Sequence, residues 1–365
     1  MAGRRGSAER GCVLLPSRRL QGGVPPVSQT APVPQAPLPV KPKHSAEHLL
    51  RIVGTPPGRV VGFLTRFVWA FITWLSPESR DALARFVGNL AYTLGIRRRV
   101  AMENLAMAMP EKSEAERREI ARGAYINMSR VVIESLPGGD RLPADWAEQG
   151  VEGGEAWEAL KAHVATGQGA LMVTAHFGNW ELLGDMLIRW GIPLDALVRP
   201  LKGALNTRIA VNRVGCGAGL IYPRGAIQEI IAAVKRGESP FMLLDQALPA
   251  KAAVFVPFFG KLASTTPAMA VAAKRTGAPV FVVMGVRNGR GGARLRLEVE
   301  GPILPPAPGE SEDPLTEHTA RVTAAMERCI RKYPEQWMWL HRRWKYQPEP
   351  AVAPGSAAAA LEAKG

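Results

Sequence analysis

The chain has 365 residues, 47% of them hydrophobic, and 46 Lys and Arg against 32 Asp and Glu give a net charge of +14. That is enough apolar sequence for one large core with appendages, and it excludes a wholly disordered chain. The charge calls for an anionic partner, but zinc-finger spacing and a basic stripe interleaved with aromatics are both missing, which argues against nucleic acid. Cys12, Cys216 and Cys329 are scattered, with no CxxC and no even framework, so a reduced cytoplasmic setting fits best.

Residues 1–50 are expected to be a disordered tail, rich in Pro, Gly, Ser and Arg. No apolar core follows its arginines before the Pro-rich run, so it does not read as a signal peptide. Residues 51–137 are expected to form a helical, membrane-associated region. Its most apolar run, Val60 to Leu75, is short for a span, which needs roughly 20 apolar residues, and it contains Arg66. With Arg59 and Arg66 on one side and Trp69 and Trp74 on the other, it suits an interfacial helix; a buried core helix is the alternative. Arg97-Arg98-Arg99 is either a solvated face or a site for anionic headgroups. Ser113 and Glu116 make a capping box, and Ile120, Ala124, Met128 and Val131 continue one helix face to Pro137.

Residues 138–346, continuous with that region, are expected to be an α/β domain: a central mixed sheet flanked by helices. Ala170 to Thr174 reads as a buried strand, and Trp180 to Trp190 as a helix capped by Asn179 and closed at Gly191. His176 therefore lies just beyond a strand end, with Glu181 in the first turn of the next helix facing back toward it. A His–carboxylate pair without a Ser or Cys partner suggests a base that activates a hydroxyl of the substrate. The plainer alternative makes His176 a loop histidine and Glu181 a cap. Gly178 between them permits close approach of backbone or substrate, and amides near it are candidate oxyanion donors.

Further strands are expected at Leu194 to Pro200, Phe241 to Leu244 and Pro279 to Val286, with Leu295 to Val299 alternating as an edge strand would. Ile227 to Lys235 reads as a helix, and Asp313-Pro314 opens another along Leu315, Val322, Met326 and Cys329. Asp245-Gln246 falls at a strand end and points to the same rim as His176; Asp245 either contacts the reacting groups or only caps a turn. Phe258 and Phe259 are acyl-chain wall or core. Tyr333 to Lys345 carries tryptophans expected in the core, with His341, Arg342 and Arg343 as basic surface near the pocket mouth. Residues 347–365 are expected to be a loose tail.

His176-Phe-Gly-Asn-Trp-Glu181 resembles the H-x4-D/E motif of the lysophospholipid acyltransferase superfamily, and more narrowly the form found in bacterial lipid A biosynthesis acyltransferases. Asp245-Gln246, Val256-Pro-Phe-Phe-Gly260, the arginine run before Asn104-Leu105, and Tyr333-Pro-Glu-Gln-Trp-Met-Trp-Leu-His-Arg-Arg-Trp-Lys345 match the same family in order, over about residues 58–346. Arg66 in the apolar helix and Gly203-Ala204 after the arginine block depart from it. The resemblance implies a glycerolipid acyltransferase-like fold, His176 as general base and Glu181 as its orienting acid. It places Arg199 near the acceptor's phosphate, although a surface ion pair would also explain an arginine there. The substrate-binding set is expected to be Gly178, Asn179, Arg199, Asp245 and Gln246, with no metal and no cofactor.

The implied partners are acyl carrier protein as donor, a phosphorylated glycolipid (a lipid A precursor) as acceptor, and lipids of the inner membrane at its cytoplasmic face. A related alternative acylates a phosphatidylinositol mannoside or a lysophospholipid from acyl-coenzyme A. From another class, a lipid-binding protein without turnover has no need of the His–Glu pair, and an esterase lacks its G-x-S-x-G elbow.

Overall fold

In the computed structural model, residues 59–136, 154–198, 204–288 and 295–348 are described, those at 59–66 and 204–208 by backbone alone. The two tails (apart from Gln347 and Pro348), the junction at 137/138 and Arg199 lie outside them. Helix α1 (Arg59–Trp74) is followed by α2 (Pro77–Thr93), α3 (Arg98–Ala108) and α4 (Glu114–Ser135). Ser113 and Glu116 close both arms of the expected capping box at the start of α4.

The α/β part then alternates α5 (Gly154–Ala165), β1 (Leu171–Thr174), α6 (Trp180–Arg189), β2 (Leu194–Leu197), α7 (Ala204–Gly215), β3 (Gly219–Ile221), α8 (Ala226–Lys235) and β4 (Ser239–Leu243). A hairpin of β5 (Val254–Phe258) and β6 (Lys261–Thr265), then α9 (Ala268–Thr276), β7 (Val280–Arg287), β8 (Leu295–Ile303) and α10 (Pro314–Lys332) complete it. Six strands form one sheet in the order β3-β2-β4-β1-β7-β8, with β8 alone antiparallel at the edge. The expected mixed sheet flanked by helices is therefore present. Burial of β1 and β7 on both faces explains why their sequences read as continuous apolar runs.

Two apolar layers cover the sheet. One joins Leu171, Val173 and Val282 to α9, α10 and the C-terminal tryptophans; the other joins Met172, Phe241 and Val283 to α5 and α6. Phe258 and Phe259 belong to the first, stacked among Trp337, Trp339 and Trp344, so they are core and not an open chain wall. The hairpin turns at Phe259-Gly260, both at positive φ as a two-residue turn between right-twisted strands requires.

The helices before the sheet are different in kind. Phe67, Phe71 and Trp74 of α1, and Phe86, Val87 and Leu90 of α2, are exposed at helical spacing, and Leu94 and Ile96 continue the stripe. The charged partners expected on α1, Arg59 and Arg66, lie among the residues described by backbone alone. No helix among the described residues is long and apolar enough to cross a membrane.

Candidate active site

Parallel register brings the site together. Thr174 of β1 sits opposite Leu243 of β4, so His176 and Asp245, each two residues further on, leave the sheet side by side. This is the carboxyl-end rim where open α/β sheets hold their ligands. Asp245 is 2% exposed, and its Oδ1 lies 2.8 Å from His176 Nδ1. Its Oδ2 accepts from the His176 amide at 2.9 Å and from Trp337 Nε1 at 2.8 Å. Burial alone would raise this carboxyl group's pKa; the charge and hydrogen bond of His176, with the other two donors, outweigh it and lower the value to about 2.

With Nδ1–H donated to Asp245, the lone pair of His176 is on Nε2. That nitrogen faces outward, 3.3 Å from Nε2 of the exposed Gln246, which donates to it. The imidazole is thus held in the tautomer that can accept a proton from a group entering at the mouth. Trp180 packs edge-on against the ring at 5.0 Å.

The carboxylate on His176 is therefore Asp245, where Glu181 was expected. Glu181 turns away because α6 carries it against α7: Arg213 Nε donates to its Oε2 at 2.9 Å and Arg213 Nη2 to its Oε1 at 2.6 Å. Burial works against the charge of Arg213, but Glu181, helped by Asp185, more than offsets this and holds its pKa above the ordinary value. Glu181 reaches toward the histidine through Trp180, accepting its Nε1 at 3.0 Å. Trp180, Glu181, Asp185 and Arg213 line one end of a narrow apolar crevice that also touches Ile188 and Phe241.

Two residues expected at the substrate belong to the frame. Asn179 is fully buried; its Oδ1 caps α6 through the amides of Glu181 and Leu182, and its Nδ2 donates to Glu134 at 2.6 Å. Gly178 has φ +53, and a Cβ there would lie 1.7 Å from the Gly285 carbonyl oxygen. Its glycine is needed for close backbone packing. Its amide donates to the Gln336 carbonyl at 3.0 Å, and the His176 amide is taken by Asp245, so neither is free as an oxyanion donor. Arg343, expected at the surface, is fully buried and donates to Ser264 O and Thr265 Oγ1, with burial lowering its pKa to about 10.

The loop that carries His176 is clamped by residues whose motifs drew no attention. Asn127 of α4 donates to the carbonyls of Gly178 and Gln336, and Arg287 forks onto Glu134 at 2.8 Å through both Nη atoms. Phe177 pairs with Trp337, and Met338 N donates to His176 O. An Asn and a Glu seven residues apart on one helix face, 127 and 134, were the available signal; nothing local says what they hold. Among the described residues, no group of three or more His, Cys, Asp or Glu is placed to hold a metal ion.

A six-stranded α/β sheet carries a carboxylate-held histidine on its rim, and the described partners of that histidine include no serine or cysteine. Residues 55–346 match the family described as bacterial lipid A biosynthesis acyltransferase, and the chain belongs to that family; it is an acyltransferase. It is 29% identical to the lipid A biosynthesis lauroyltransferase of Escherichia coli K12, over 72% of this chain and 84% of that one. It is 26% identical to the lipid A biosynthesis palmitoleoyltransferase of the same strain, over 69% and 80% respectively. A phosphatidylinositol mannoside acyltransferase of Mycolicibacterium smegmatis is also 26% identical, over 52% of this chain and 59% of that one.

Proposed function

We propose that the protein moves a fatty acyl group from the thioester of acyl carrier protein to a hydroxyl of a lipid A precursor, with His176 as general base. The observation that carries this is the orientation of the imidazole, Nδ1 on buried Asp245 and Nε2 open at the mouth. Nε2 takes the acceptor hydroxyl's proton as its oxygen attacks the thioester carbonyl; the C–S bond breaks, and the imidazolium returns the proton to the leaving thiolate. Asp245 fixes the tautomer and stabilises the imidazolium. Glu181 acts as a positioning residue through Trp180. The acidic carrier suits the +14 chain, since complementary charge speeds encounter.

The same reading places the enzyme peripherally on the cytoplasmic face of the inner membrane. The exposed apolar stripe of α1 and α2 supports this docking, because a contiguous face of Phe, Trp and Leu is costly to leave in water. Acyl transfer by purified protein in detergent, from labelled carrier thioester to a tetra-acylated precursor, tests it: His176→Ala should reduce transfer to background. Transfer that survives this substitution removes the base. The mannoside relative supports a second acceptor class. Transfer from acyl-coenzyme A to phosphatidylinositol mannoside or lysophospholipid, with the lipid A precursor inert, would favour it.

A further inference from the structure

The two basic clusters singled out in the sequence are not equivalent side chain by side chain. Arg98 lies over the Tyr92 ring, 5.5 Å from its centre, Arg99 pairs with Glu103 at 2.7 Å, and Arg343 is buried on Ser264 and Thr265. Those three charges are committed to the fold or the surface. Arg97, Arg342, His341 and Lys345 instead line one groove of about 560 Å³ together with Val100 and Ala247.

The free valence in that groove is cationic. Arg97 is anchored by Nε on the Leu340 carbonyl at 2.8 Å, which leaves its two terminal amino groups for a ligand. Arg97 also holds a left-handed backbone, φ 57, at the start of α3, an uncommon state for a side chain of this size. Arg342 is exposed, Lys345 Nζ meets the Tyr346 hydroxyl at 3.3 Å and lies over its ring, and buried His341 Nδ1 has no hydrogen-bond partner among the described residues. Among the described residues, no carboxylate lines the groove. Planar guanidinium forks and a lysine around one cavity match the oxygens of a phosphate.

Its place in the molecule says which phosphate. Ala247 follows Gln246, whose amide lies 3.3 Å from His176 Nε2, so the groove's inner end adjoins the reacting nitrogen. Arg97, on its other side, follows exposed Leu94 and Ile96 in the chain. A surface that is apolar, then cationic, then basic at one nitrogen matches a molecule with acyl chains, a phosphate and a nearby hydroxyl. We infer that this groove binds the phosphate of the glycolipid acceptor and so selects phosphorylated acceptors and sets the distance from phosphate to acylated hydroxyl. The inference rests on the acceptor class proposed above.

The test compares wild type with Arg97→Gln/Arg342→Gln and with Lys345→Gln. Acceptors are a phosphorylated tetra-acylated precursor and the same lipid after phosphatase treatment. For the phosphorylated lipid the double variant should raise KM roughly 10- to 100-fold with little change in kcat. The variants and wild type should coincide on the dephosphorylated lipid, and KM for the carrier thioester should stay constant. A rise confined to the thioester's KM would overturn the inference and give the groove to the donor; unchanged KM for both would also overturn it. Micelle-binding affinities for the two lipids, measured without donor, separate this from failure of the reaction itself. Preference for the phosphorylated lipid that Lys345→Gln and the double variant weaken would support the groove even if wild type transferred nothing, whereas binding blind to phosphate would overturn it. Lys345 is exposed, so its variant keeps the test valid if the double variant folds poorly.

Discussion

Asp245 and Glu181 are both buried carboxylates close to His176, one at the end of β4 and one in the first turn of α6, and they differ in what faces them. Asp245 meets an imidazole, an indole N–H and an amide, none of which carries a permanent charge. Its own charge is left to act on the one partner that titrates. Glu181 meets a guanidinium that forks onto both of its oxygens. Its charge is neutralised locally by a group that never loses its proton. One environment makes an acid that can stabilise a transient cation; the other makes a strut. The motif spacing alone does not distinguish them, because both acids stand near the same histidine.

The strongest way to break this comparison is to remove one charge at a time. Asp245→Asn keeps the shape but loses the acceptor that fixes Nδ1–H, and kcat should fall by about 10³- to 10⁴-fold. Little secondary structure should be lost, as far-UV circular dichroism would check. A loss of tenfold or less, with the fold intact, would hand the orienting role back to Glu181. Glu181→Gln should instead act mainly on stability, because it takes the forked carboxylate from a largely buried Arg213 and leaves only the weaker pull of Asp185. The expected cost is about 1–3 kcal/mol, below the penalty for a fully unpaired buried charge, read by urea denaturation. Glu181→Gln with Arg213→Met should recover much of that, and no such rescue would argue against the strut.

A pH series sharpens the same contrast. Asp245 has a folded pKa of about 2, below the ordinary 3.8. A depressed folded value means that its contribution is fully present above the unfolded value and is lost as pH falls through the folded one. The stability gap between wild type and Asp245→Asn should therefore be constant from about pH 7 to 4 and close between about pH 4 and 2. A gap that closed near pH 6 would place the carboxylate in a different environment from the one described here.

Legibility followed the range of the interaction. Strand β1, the Asn179 cap, the Ser113–Glu116 box and the edge strand β8 rest on neighbours a few residues away, and periodicity reads them. That His176 and Asp245 lie at one rim was also readable, since each follows an apolar run by the same offset. Their contact was not, because it depends on β4 pairing with β1 across a separation of 69 positions. The roles of Asn127, Glu134 and Arg287 were hidden for the same reason: they are set by where α4 and β7 meet the loop that carries His176. Gly178 was legible as a point of close approach, but what approaches is the Gly285 backbone and not a substrate.

The smallest expected effect concerns the outer nitrogen. Gln246 is exposed and meets His176 Nε2 at 3.3 Å, the long end of a hydrogen bond, whereas Asp245 holds Nδ1 at 2.8 Å from inside the core. In the proposed mechanism an acceptor hydroxyl displaces the Gln246 amide to reach the lone pair, so that contact belongs to the free enzyme and ends on binding. Gln246→Ala should then change kcat by no more than about tenfold, the scale of one exposed neutral hydrogen bond. The nearby loop amides of His176 and Gly178 are already occupied, however, which makes a displaced Gln246 side chain an available donor to the developing oxyanion. A fall of about 10²- to 10³-fold at unchanged KM would be the mark of that second use. The size of this one number therefore separates a residue that waits on the base from one that follows the charge.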